Sequence, residues 1–247
     1  MPVLHAAIKQ IKVRSTVEEK ILLRDIAFDL KPNNIYIIIG KNGSGKTTLL
    51  KALTGLLDQR FYNIEGEIFF EDENLLTTNK EKLLEIRNDK IKYVFQDPIN
   101  SFDNLKTFDY YFKKLSKNNS QTETLLDYFL LPPSNKLYKM YPFEVSGGMA
   151  QRISLTLALS AEPELIILDE PTSGIDVGIA NLFLLKLKEF AASGNHSVLL
   201  VTQDLDFAKR VSNKIARLSN EKLSEFKPVD EFFHEESSTQ PSPKGRL

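Results

Sequence analysis

The sequence predicts an α/β fold: a parallel sheet with helices on its faces and a helical subdomain inserted near the middle. Three observations carry this. Short apolar runs alternate with helical patterns, a glycine-rich loop joins one such run to one such helix, and the texture changes between Asp97 and Glu144.

Taken in order, the first stretch reads as strands, including IAFDL, where Ile26, Phe28 and Leu30 alternate with polar or small positions. IYIII (Ile35 to Ile39) is a short apolar run that stops at glycine, as a buried parallel strand does. KTTLLKALTGLL follows as a helix with Leu49, Leu50, Leu53, Leu56 and Leu57 on one face. GEIFF and IKYVF read as strands separated by the helical NKEKLLEIRN. From Asp97 to Glu144 the chain is aromatic and rich in Lys and Asn; it reads as an inserted helical piece, with LPPSN as a break. ELIILD then reads as a buried strand, and Ile179, Leu182, Phe183, Leu187 and Phe190 form a helical face. SVLLVT is another strand, followed by a helix at about Leu205 to Ser212 and two strand-like pieces, KIARLS and KLSEF. The end, HEESSTQPSPKGRL, is polar and rich in Pro and Ser, so disorder is expected over residues 235–247.

The bulk numbers narrow the class. At 247 residues the chain makes one large domain or two small ones. With 32 basic against 33 acidic side chains, it carries no electrostatic signature of a nucleic-acid partner. It has no cysteine, which excludes disulfides, thiolate zinc sites, iron–sulfur clusters and a cysteine nucleophile. No apolar run approaches the ~18 residues that span a bilayer, and the start does not read as a signal peptide. The chain is expected to be soluble, with any membrane role supplied by a partner.

GKNGSGKT (Gly40, Lys41, Asn42, Gly43, Ser44, Gly45, Lys46, Thr47) matches G-x-x-x-x-G-K-[ST] between a predicted strand and a predicted helix, with Thr48 continuing it. Glycines let backbone N–H groups turn onto phosphates without Cβ clashes, and the helix N-terminus adds its dipole. Lys46 supplies charge for the β- and γ-phosphates, and the Thr47 hydroxyl suits Mg²⁺. The alternative is a glycine-rich turn at an ordinary helix start. LIILDEP ends a strand in two carboxylates: Asp169 is placed to bind Mg²⁺, and Glu170 to polarise a water. Alone, it would read better as a strand followed by a solvated acidic turn; together with the phosphate loop it does not. VSGGMAQR sets Ser146, Gly147, Gly148 and Met149 before a predicted helix, either as a second anion site or as a cap with a flexible lead-in.

GKNGSGKT, VFQDP, VSGGM, LIILDEP and SGID, in that order, resemble the nucleotide-binding subunit of ABC transporters over about residues 3–226. The resemblance implies a P-loop NTPase, an ABC ATPase core with a parallel sheet, an antiparallel β subdomain and an inserted helical subdomain. It implies an ABC ATPase domain over residues 1–234, with the helical subdomain at about 97–160. It implies ATP and Mg²⁺ as cofactors, with Gln96 joining Thr47 and Asp169 around the metal and Glu170 as catalytic glutamate. Ser146, Gly147, Gly148 and Met149 would touch the γ-phosphate of an ATP on a second, head-to-tail ATPase subunit, and Asp176 would cross that interface. Two membrane permeases would be direct partners, an extracytoplasmic solute-binding protein an indirect one, and the location the cytoplasmic face of the inner membrane.

GEIFFEDENLL through the Gln-Asp-Pro-x-x-Ser-Phe stretch, together with YPFEVSGGMAQR, is similar to the peptide/nickel branch of importers, which usually pair two different ATPase subunits. An exporter subunit and a non-transport ABC ATPase of repair or translation are the other readings. Two positions depart from the family. No aromatic lies between Lys9 and Ala27 to stack on adenine; Val17 is about where one is expected, and Tyr36 sits inside a strand. Gln203, in VTQD, stands where the family has a histidine against the γ-phosphate, and none of His5, His196 or His234 aligns there.

Overall fold

The computed structural model describes residues 3–14 and 18–239. The chain opens with two long strands, β1 (Leu4–Arg14) and β2 (Glu19–Leu30), paired antiparallel. Next come β3 (Asn34–Ile39), the phosphate loop and α1 (Lys46–Leu53). β4 (Tyr62–Phe70) returns to pair with β1, and β5 (Glu73–Asn74) extends that sheet, giving the order β2-β1-β4-β5. This is an antiparallel β subdomain. α2 (Lys80–Asp89) is started by Asn79, whose side chain accepts from the Lys82 N–H at 2.8 Å, and it leads into β6 (Ile91–Val94).

The middle of the chain is helical. α3 (Phe108–Leu115), α4 (Asn119–Tyr128), α5 (Ser134–Leu137) and α6 (Gly147–Ser160) fill it, with short 3₁₀ turns at Ile99–Ser101 and Pro142–Glu144. Alternation then resumes with β7 (Leu165–Asp169), α7 (Val177–Ala192), β8 (Ser197–Thr202) and α8 (Leu205–Val211). β9 (Lys214–Ser219), β10 (Lys222–Leu223), β11 (Lys227–Pro228) and α9 (Val229–Thr239) complete the described residues.

The second sheet runs β10-β9-β3-β8-β7-β6, with β3, β6, β7, β8 and β9 parallel and β10 and β11 antiparallel to β9. Its central strands are continuous apolar runs because both faces are covered. Alternate side chains enter two different cores: Ile35, Ile37 and Ile39 of β3 pack with the helical part, Tyr36 and Ile38 with α1 and the antiparallel sheet. In β7 and β8 the same division separates Ile166, Leu168, Val198 and Leu200 from Ile167, Leu199 and Val201. Since β3, β8 and β7 are parallel, their C-terminal ends share one edge, and the phosphate loop, Gln203 and the Asp169–Glu170 pair emerge there side by side.

Several sequence expectations need correction. α1 stops at Leu53 rather than running to Leu57, because Gly55 takes a left-handed conformation (φ +63°) and the Thr54 hydroxyl bonds back to the Leu50 carbonyl at 3.1 Å. The strand expected as IKYVF ends at Val94, and of KLSEF only Lys222–Leu223 pair. The first part of the tail expected to be disordered, residues 235–239, is the end of α9. Tertiary contacts hold that helix: Phe232 is buried and Glu236 accepts two hydrogen bonds from the Arg217 guanidinium. Residues 240–247 and Val17 lie outside the described residues.

Candidate nucleotide site

A pocket of about 280 Å³ opens at the C-terminal edge of the parallel sheet, walled by phosphate-loop residues, Leu22, Gln96 and Glu170. The loop's glycines have local reasons. A Cβ on Gly40 would lie 2.7 Å from the Leu218 carbonyl oxygen, and Gly45 has φ +98° with Leu23 Cδ2 2.8 Å from where its Cβ would be. The loop therefore wraps tightly over β9 and β2, where side chains in place of these glycines would clash.

Lys46 is buried, and its ammonium is held by three oxygens. Nζ donates to the Gly40 carbonyl at 2.8 Å and the Lys41 carbonyl at 3.2 Å, and it lies 3.2 Å from Glu170 Oε1. That last contact is an ion pair outside hydrogen-bond geometry, so Glu170 Oε1 is buried without a donor. Ser44 Oγ, in the loop itself, is also buried without a partner. Two of the three such atoms among the described residues thus lie in this one site. Ser44 Oγ carries a desolvation cost of about 1–3 kcal/mol that a polar ligand would relieve, whereas Glu170 Oε1 is compensated by its ion pair with Lys46. Glu170 has a left-handed backbone (φ +48°) just past the end of β7, and its N–H donates to the Val201 carbonyl at 3.1 Å. A non-glycine residue held there by the sheet is strain of the kind that collects at functional sites.

Asp169 is 2% exposed, and each of its carboxylate oxygens receives one hydroxyl. Thr47 Oγ1 donates to Oδ1 at 3.1 Å, and the Tyr93 hydroxyl donates to Oδ2 at 3.0 Å. Burial, followed by the negative Asp169, pushes the Tyr93 phenol above its ordinary pKa, so it remains a donor. A hydroxyl, a carboxylate and the Gln96 amide are hard oxygen donors, the set that Mg²⁺ takes. Among the described residues no group of three or more His, Cys, Asp or Glu side chains could hold a metal by itself. The cation that fits is one held by one or two side chains and the phosphates of its substrate, which is how Mg²⁺ binds nucleotides.

The remaining expected residues lie apart from this pocket's lining. Ser146 caps α6 by accepting from the Met149 N–H at 3.3 Å, and Asp176 caps α7 by accepting from the Ile179 N–H at 2.9 Å. Gln203 is exposed just beyond β8. Two of the three histidines are occupied elsewhere: His5 pairs with Asp29 at 2.7 Å, and His196 bonds the Pro163 carbonyl and stacks on Phe190. Tyr36 cannot reach a base, since it is buried against Phe226 with its hydroxyl accepting from the Lys31 N–H.

Sequence reasoning missed Leu22 and Tyr93. Leu22 lies in the long strand β2 with no motif around it, and it is the apolar side chain in the pocket wall. A leucine offers contact area but no ring to stack, a contact worth roughly 1–3 kcal/mol in single-strand binding. GTP is therefore expected to displace a fluorescent ATP analogue with an affinity within about tenfold of that of ATP. A hundredfold preference for ATP would overturn this.

Comparison with known proteins agrees with the geometry. Residues 23–173 match the family model described as ABC transporter. The chain is 30% identical over 239 residues to the oligopeptide transport ATP-binding protein AmiE of Streptococcus pneumoniae, covering 92% of this chain and 67% of that protein. It is 31% identical over 235 residues to the dipeptide transport ATP-binding protein DppD of Bacillus subtilis, covering 91% of this chain and 70% of that one. The chain thus spans about two thirds of the length of these relatives. A dimeric bacterial ABC transporter cassette superposes with a TM-score of 0.79 at 23% identity, covering 92% of this chain and 98% of the other. CbiO1 of Clostridium perfringens does so at 0.74 and 20% identity, covering 96% and 92%. With its fold, its phosphate loop and its paired carboxylates all in place, the chain belongs to the ABC transporter family as an ATP-hydrolysing, nucleotide-binding subunit.

Proposed function

We propose that this chain is the ATPase subunit of an importer that takes up a peptide, nickel or a metal chelate, working at the cytoplasmic face of the membrane. Residues 1–234 are read as one ABC ATPase domain, with 97–160 as its helical part. The observation that carries the ATP site is the buried Lys46–Glu170 pair beside Thr47 and Asp169. The names of the peptide-transport relatives support the importer branch. Among the described residues no helix is long and apolar enough to cross a membrane. In this reading translocation is the work of two permease partners.

In this reading the loop amides and Lys46 hold the β- and γ-phosphates. As Lys46 engages phosphate oxygens, Glu170 Oε1 is released to accept a proton from the attacking water. The water oxygen bonds to the γ-phosphorus while the bond to the β–γ bridging oxygen breaks, giving ADP and phosphate. Thr47, Asp169 and Gln96 would hold Mg²⁺, which when bound neutralises charge across the β- and γ-oxygens.

Ser146, Gly147, Gly148 and Met149 are read as donors to an ATP carried by a second, head-to-tail ATPase subunit, with Asp176 at the same interface. A Cβ on Gly147 or Gly148 would meet nothing within 4 Å in this chain, so its own packing does not call for glycine there. Gln203 suggests that the second subunit is non-identical. An amide can donate a neutral hydrogen bond to the γ-phosphate but cannot become cationic or relay a proton as imidazole does. The handicap falls only on the site built on this chain's own loop, and a heterodimer tolerates one slow site. Gln203→His is expected to raise the basal phosphate-release rate of the isolated subunit severalfold; an unchanged, brisk rate would show glutamine to be an equal substitute. For the whole reading, the test is ATP-driven uptake of labelled peptide or nickel by vesicles carrying this chain with its permeases. Uptake of none of these solutes sinks the importer assignment and leaves the ATPase assignment standing.

A further inference from the structure

We propose that Tyr93 is a positioning residue for the magnesium ion that accompanies ATP, holding the Asp169 carboxylate in the orientation that presents it to the cation. The proposal rests on reading the Lys46 pocket as an ATP site. On one face of the sheet, Asp169 is gripped from both flanks of β7. Thr47 approaches from α1, which follows β3, while Tyr93 comes from β6, the strand on the opposite side of β7.

Register explains why the residue at 93 is a tyrosine. Parallel pairing sets Tyr93 opposite Ile167, two residues short of Asp169. At about 3.3 Å of rise per residue the offset is roughly 6.6 Å, which a phenol spans and a serine or threonine does not. The ring is steadied against Phe95, with centroids 4.5 Å apart. One donor on each carboxylate oxygen fixes the rotation of the group and leaves each oxygen a further acceptor position. Outer partners of this kind orient metal-ligating side chains, and their loss typically costs about 10–100-fold in metal affinity or activity.

Tyr93→Phe removes only the hydroxyl and keeps the ring. The test uses the purified full chain with a non-hydrolysable ATP analogue, Mn²⁺ as a paramagnetic probe, and electron paramagnetic resonance to count bound metal. The dissociation constant for Mn²⁺ is expected to rise about tenfold in Tyr93→Phe. The Mg²⁺ concentration that half-saturates ATPase activity should rise in parallel, while metal-free binding of the analogue and the melting temperature stay at wild-type values. Equal Mn²⁺ affinity in the two proteins overturns the proposal. So does a loss of Mn²⁺ affinity matched by loss of metal-free analogue binding or by a lowered melting temperature, since that marks a merely structural role. A wild-type chain that takes up no Mn²⁺ with the analogue overturns the ATP-site reading itself, and this proposal with it.

Discussion

Glu170→Gln is expected to keep ATP bound while phosphate release falls by roughly 10²–10⁴-fold, the usual contribution of a positioned general base. The structure gives the reason for both halves. Glu170 Oε1 is buried and accepts no hydrogen bond, so its lone pairs remain available to a water proton. The amide of glutamine has nearly the same shape but is not a base. Binding survives because Lys46 keeps its hydrogen bonds to the Gly40 and Lys41 carbonyls and loses only an ion-pair partner, which phosphate replaces. The measurement pairs single-turnover phosphate release with equilibrium binding of a fluorescent ATP analogue. Equal hydrolysis rates in variant and wild type would remove Glu170 from the mechanism.

Lys46→Ala is expected to abolish tight ATP binding. Truncating one member of a buried charge pair costs about 2–5 kcal/mol, or roughly 30- to 5,000-fold in affinity. The upper part of that range applies here for two reasons. Lys46 is the cation in the pocket wall, and its removal leaves Glu170 as a buried negative charge facing the incoming phosphates. The double variant Lys46→Ala/Glu170→Gln should therefore recover part of the lost affinity, because the repulsion disappears. Titration calorimetry on the three proteins checks this; a double variant no tighter than Lys46→Ala excludes the repulsion.

Much of this was legible in the chain. Strands such as IYIII and SVLLVT announce themselves because both faces are buried, and that burial leaves no polar position to blur the run. The phosphate loop and the paired carboxylates were legible because their chemistry admits few residue types. Pairings were not. Nothing in β1 says that it takes β2 on one side and β4 on the other, since alternation fixes which face is buried and not which strand is the neighbour. Tyr93 was visible only as a strand residue, and its bond to Asp169 exists because β6 lies beside β7, a fact of topology rather than spacing. α9 was hidden for the same reason: its polar sequence is held by Arg217 and by the burial of Phe232.

β8 has a consequence of its own. It is laced to β3 along one side from Ser197 to Thr202 and to β7 along the other from Ser197 to Val201, so Gln203 is the first residue beyond both ladders. A substitution there is therefore expected to alter side-chain chemistry without shifting a strand, a loop glycine or Lys46. If Gln203→His raises the rate as expected, position 203 is a throttle mounted outside the engine block: one codon resets how fast this subunit fires, while the apparatus that captures the nucleotide stays as it was.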